Sequence, residues 1–164
     1  MIRAFVPYPD KRLKTVCAPI DAVDDTVRGI WADMVETMDA MPGVGLAAPQ
    51  IGVMLRLAVV DCSEARGQAV LIGNPVILHA SAKMREHDEA SPNLPGFSAA
   101  IKRSRAVTVQ YLNAGGVQEE RDFVGLWAIS VQHQIDHLNG RMFFDNLSKV
   151  KRDMLLRKFR KGAR

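Results

Sequence analysis

Cysteine is scarce in this chain: there are two in 164 residues, aromatic residues make up 6%, and no long apolar run occurs. Cys17 and Cys62 lie far apart, with neither CxxC spacing nor a second pair, which excludes a disulfide framework. They read as free thiols of a reducing compartment, buried as small apolar residues. No stretch approaches the roughly 18 to 20 apolar residues of a membrane helix. The opening Met1 to Val6 is broken by Pro7 and Pro9 too soon for a signal peptide, so a cytoplasmic protein is expected. There are no internal repeats, low-complexity tracts or linker-like shifts in composition, so residues 1–164 are expected to form one domain.

With 48% hydrophobic and 24% charged residues, the composition is that of a globular protein with a real core. Its net charge of +4 is uneven. Residues 148–164 hold eight basic side chains (Lys149, Lys151, Arg152, Arg157, Lys158, Arg160, Lys161 and Arg164) against Asp153, so this tail carries +7 and the remainder −3. Met154, Leu155 and Phe159 form a partial apolar stripe, which predicts an amphipathic C-terminal helix with one docked face and one basic face. The basic face is either a solvated face of a terminal helix or a contact for a polyanion, RNA foremost. Neither DNA nor a membrane is expected.

Val27, Ile30, Trp31, Met34, Val35 and Met38 recur at helical spacing over 24–41, with Asp24, Asp25 or Thr26 able to cap the start and Pro42-Gly43 to end it. Strands are expected at 55–61, 69–72, 76–78 after an Asn74-Pro75 break, and 106–112. A turn at Asn113 to Gly116 leads into a hairpin partner at 117–123. A second helix over 125–138 is apolar on most sides and should be central. Separated helices and antiparallel strands predict the α+β class.

That second helix carries His133-Gln134-Ile135-Asp136-His137. Side chains at i and i+4 share a helix face, so two imidazoles can converge on one divalent ion. In the H-E-x-x-H pattern of zinc proteases the intervening glutamate takes a proton from metal-bound water. Gln134 can hydrogen-bond there but cannot act as a base at neutral pH.

Three ordered segments, Gly43-Val44-Gly45-Leu46-Ala47-Ala48-Pro49-Gln50, Glu89-Ala90-Ser91-Pro92-Asn93-Leu94-Pro95-Gly96 and Gln132-His133-Gln134-Ile135-Asp136-His137-Leu138, together resemble the bacterial peptide deformylases. The resemblance extends to Tyr8-Pro9-Asp10-Lys11-Arg12-Leu13, the first helix, Asn74-Pro75 and Arg103. It implies antiparallel sheets around the histidine-bearing helix, and removal of formyl from the N-formylmethionine of nascent chains by a metal-activated water. By the same resemblance His133 and His137 match the histidine metal ligands, Gln50 the donor to the substrate carbonyl, and Glu89 with Arg103 a supporting ion pair. Gly43, Val44, Gly45, Leu46 and Gln50 would line a peptide groove, the glycines needed for a left-handed φ or close approach.

Against the family's E-G-C-L-S, this chain places Ser91 at the metal-binding cysteine and Pro92 at the residue whose N–H steadies the developing oxyanion. Gln134 stands at the catalytic glutamate. Loss of an acid–base residue costs roughly 10²–10⁴-fold and loss of one oxyanion donor about 10²–10³-fold. Ala90 for a glycine and Ser98 for a frequent arginine point the same way. The expectation is a degenerate member: a binding module with no metal, or a weakly held Fe, Zn or Ni ion on His133, His137 and Ser91, facing nascent formyl-methionyl peptide. The alternatives are a metal-dependent amide hydrolase using Ser91 or Asp88 as substitute ligand, and a partner of an active deformylase. Asp136 is expected to be a structural acceptor, and His87-Asp88-Glu89 part of a solvated loop.

Overall fold

The Asp24 side chain accepts a hydrogen bond from the Val27 N–H and so starts α1, Asp25–Ala40, in the computed structural model, which describes residues 1–162. Five strands form one antiparallel sheet in the order β1 (Gly45–Ala47), β2 (Leu57–Val60), β3 (Val70–Ala80), β6 (Ala106–Leu112) and β7 (Gln118–Val124). A separate hairpin pairs β4, Met84–Ala90, with β5, Ser98–Ser104.

Period-2 alternation on β2 explains how the two long helices share this sheet. Leu57 and Val59 pack with Trp31, Met34 and Met38 of α1. Ala58 and Val60 instead meet Ala128, Val131, Ile135 and Leu138 of α2, Leu126–Leu138. All four β2 residues are therefore buried, and α2 is held between the large sheet and the small hairpin, where Gln132 and Asp136 meet β5 and His133 meets Glu89 of β4. The expected α+β class and the two long helices are as observed.

Several local expectations need correction. The Asn74-Pro75 break does not divide a strand in two: β3 runs through it with shifts in register, Asn74 adopting φ 47° while its side chain hydrogen-bonds both the N–H and the C=O of Ile20. His87-Asp88-Glu89 is not a loop but the inner half of β4. The glycine-rich segment contains β1. Cys17 is buried, whereas Cys62 is only half-buried.

The basic tail forms α3, Lys149–Gly162, and Ala163 and Arg164 of the expected helix lie outside the described residues. Its docked stripe is Leu155, Leu156 and Phe159, against Tyr8, Phe97 and Phe144, while Met154 is 53% exposed instead of docked. No helix among the described residues is long and apolar enough to cross a membrane.

Candidate active site

On β4, Glu89 points inward and is 5% exposed, while its neighbours Asp88 and Ala90 face solvent. Across the hairpin, Arg103 donates to it from Nε at 2.6 Å and from Nη2 at 2.9 Å. The same guanidinium donates from Nη1 to Asp136 Oδ2 at 2.9 Å, so Asp136 is the structural acceptor expected. His133 completes the set, with its Nδ1 at 2.7 Å from Glu89 Oε1. Burial raises the Glu89 carboxyl pKa, but the hydrogen bonds from His133 and Arg103 outweigh it and leave the group below its usual value.

An ionised carboxylate only accepts, so His133 presents a protonated Nδ1 to Glu89 and turns its Nε2 away from it. That Nε2 lies 3.1 Å from Nε2 of His137. One proton lies between these two nitrogens, and the buried Nδ1 of His137 is left without a partner. Burial first, then the proximity of His133 and Arg103, holds His137 well below an ordinary histidine pKa, so it is neutral at pH 7. The partners of these imidazoles are thus Glu89, each other and, at 3.4 Å from His137 Nε2, the Ser91 hydroxyl.

Ser91 is buried, its Oγ 3.4 Å from His137 Nε2. Gln50 Nε2 donates to that Oγ at 3.0 Å and to Asn93 Oδ1 at 2.9 Å, while Gln50 Oε1 accepts the Ala47 N–H at 2.9 Å. Every polar atom of the Gln50 amide therefore has an internal partner. Asn93 links onward to the carbonyls of Val6 and Gln50. Nothing in the sequence singled out Asn93 as the hub of this network.

Two Nε2 atoms 3.1 Å apart can both reach one ion at the usual bond length of about 2.0–2.1 Å. The third donor fails the same test. Ser91 offers a neutral hydroxyl, far less acidic than a thiol, already committed to Gln50 and Asn93. Among the described residues no group of three or more His, Cys, Asp or Glu side chains could hold a metal ion, and Asp88 is exposed and supplies no third ligand. The donor set fits half of a metal centre and not a firmly held ion.

In front of these residues lies an open cavity of about 440 Å³. Gly43, Val44 and Gly45 form one wall, Glu89, Ser91 and Pro92 another, and His133 and Gln134 the base. Leu126 and Ile129 add an apolar wall that the sequence reading missed, although their one-turn spacing from Ser130 and His133 marks the same helix face. Leu46 does not belong to the groove: it is fully buried, packed with α1 and β2. Pro92 lines the cavity with no N–H to offer. Ser98 and Ala90 are exposed.

Gly45 is required for close approach and not for a positive φ. A Cβ there would stand 2.4 Å from Gln134 Nε2 and 2.5 Å from Ser130 Oγ. Gln134 is 4% exposed, and its Oε1 has no hydrogen-bond partner.

The polypeptide deformylase family profile matches residues 2–153. The peptide deformylase of Afipia carboxidovorans is 39% identical, over 99% of this chain and 96% of that one. The crystal structure of peptide deformylase from Ehrlichia chaffeensis superposes with a TM-score of 0.91 at 34% identity, covering 99% of this chain and 97% of that one. A Met-ala-ser bound class I type b peptide deformylase from Acinetobacter baumannii gives a TM-score of 0.84 at 29% identity, covering 90% and 99%.

Proposed function

This chain belongs to the peptide deformylase family, and from that premise we propose that it binds formyl-methionyl peptides while its formyl-hydrolysing chemistry is impaired. One observation carries the reading: at the third metal-donor position stands Ser91 Oγ, a neutral hydroxyl held by Gln50 and 3.2 Å from Asn93 Oδ1. Peptide deformylases normally use a divalent metal; a site with two imidazoles and an alcohol lacks the anionic ligand that anchors one.

The remaining substitutions act in the same direction. Gln134, beside the cavity, neither accepts nor returns a proton at neutral pH, and Pro92 gives no backbone donor to an oxyanion. The groove itself is intact, with Val44, Leu126 and Ile129 as apolar walls for a methionine side chain. The Acinetobacter relative holding Met-ala-ser supports a short methionyl peptide as the ligand class. Titration calorimetry with formyl-Met-Ala-Ser tests this: the peptide should bind and be recovered intact, and failure to bind would refute it.

Metal-dependent removal of formyl from nascent chains is the second reading. Kinship along nearly the whole chain favours it over the first, as does the convergence of His133 and His137 with Glu89 behind them. Under either reading we propose a cytoplasmic protein whose basic α3 meets RNA; a filter-binding titration with a ribosomal RNA fragment, weakening with salt, tests that partner.

A further inference from the structure

We propose that α3 extends the peptide groove: Lys151 and Lys158 form a second subsite, which takes an acidic stretch of the bound chain downstream of its N-terminal methionine. The inference rests on the peptide-binding reading above and adds to it a sequence preference beyond the first three residues.

The first support is continuity. An open groove of about 430 Å³ lies between the start of β5 and α3, with Gly96, Phe97 and Ser98 on one side and Lys151, Met154 and Lys158 on the other. Gly96 also lines the main cavity, so the two spaces meet at that exposed turn. Phe97 packs edge-on against Phe159, 5.6 Å between ring centres, and ties the turn to the helix. An extended heptapeptide spans about 24 Å, more than a cavity of about 440 Å³ encloses. Its downstream half must leave by the open side, and past Gly96 it meets α3.

The second support is charge. Lys151 and Lys158 stand two turns apart, about 10 Å along one helix face, with the exposed Met154 between them. Among the described residues the one salt bridge from α3 is Arg152 to Asp145 at 3.7 Å, so both lysines are unpaired. No carboxylate lines the groove. Two ammonium groups at this spacing match carboxylates three residues apart on an extended chain, and Met154 offers the methylenes between them an apolar contact. The exposed carboxylate of Asp88 disfavours passage of the same chain over β4, which leaves the Gly96 side.

The test is calorimetry on the full chain, treated with chelator so that peptides persist. The probes are formyl-Met-Ala-Ser and C-terminally amidated formyl-Met-Ala-Ser-Glu-Ala-Ala-Glu, with counterparts carrying Gln or Lys in place of Glu. The acidic peptide should bind roughly 3- to 10-fold tighter than the glutamine peptide and the lysine peptide weaker than either, a gap that closes in high salt. Lys151→Gln/Lys158→Gln should erase the gap. Lys149→Gln/Arg160→Gln removes the same charge from the opposite face of α3 and should keep it. A gap that both double variants reduce alike would show diffuse attraction and overturn the subsite. Equal affinities for the acidic and glutamine peptides in the unaltered chain, with formyl-Met-Ala-Ser still bound, would overturn it and leave peptide binding standing. If no peptide binds, the peptide-binding reading falls and the subsite falls with it.

Discussion

His133 Nδ1 and Glu89 Oε1 are joined by a 2.7 Å hydrogen bond, and this contact decides which nitrogen of His133 faces His137. Glu89 can hold that role only because Arg103 compensates its burial from the opposite strand. The site is therefore a network and not merely two histidines.

Removing the cation should expose that dependence. Arg103→Met leaves Glu89 and Asp136 without their partner and should cost about 3–5 kcal/mol in urea unfolding. The double variant Arg103→Met/Glu89→Gln should recover much of the loss, and additive losses would show that the two side chains are not coupled.

Acid should act through the same carboxylate. The folded pKa of Glu89 lies below its ordinary value, so the unfolded chain takes up the proton first as pH falls. The contribution is complete above the unfolded pKa of about 4.3 and is lost as pH drops through the folded value. Unfolding free energy followed from pH 6 to pH 3 should fall most steeply below about 4.3, and Glu89→Gln should flatten that limb.

Gly45→Ala tests the close approach at the groove. The added methyl collides with the Gln134 amide and Ser130 Oγ, so the variant should lose roughly 1–3 kcal/mol of stability and bind formyl-Met-Ala-Ser more weakly. Unchanged affinity would place the bound peptide away from Gln134.

The thiols should be quiet in the native protein. Burial pushes Cys17 and Cys62 each up to about 11, so few thiolates exist at pH 8. Iodoacetamide should label both slowly, faster as pH rises toward 11, and rapidly once urea unfolds the chain. Fast native labelling at pH 8 would contradict their burial.

Helices α1 and α2 were legible because their apolar residues repeat at 3.6-residue spacing and bury a face. Strand β4 was not, since Met84-Arg85-Glu86-His87-Asp88-Glu89-Ala90 puts a charged residue, Glu89, where alternation looks for an apolar one. The compensating Arg103 sits 14 residues away, beyond any local pattern. Asn74 misled for the opposite reason: a turn-forming residue is kept within β3 by its two bonds to Ile20. At the site, the His133/His137 spacing and the Glu89–Arg103 pair were readable from motif and resemblance. The binding of Gln50 to Ser91 and Asn93 joins residues more than 40 positions apart and needed the fold.

Deformylation of formyl-Met-Ala-Ser by protein reconstituted anaerobically with Fe²⁺ or Ni²⁺ tests the central claim most directly. The comparison is with His133→Ala and with the triple variant Ser91→Cys/Pro92→Leu/Gln134→Glu. Turnover no greater than that of His133→Ala, with the triple variant faster by at least about 100-fold, is the predicted result. Metal-dependent turnover by the unaltered chain that disappears in His133→Ala would contradict it and establish the second reading.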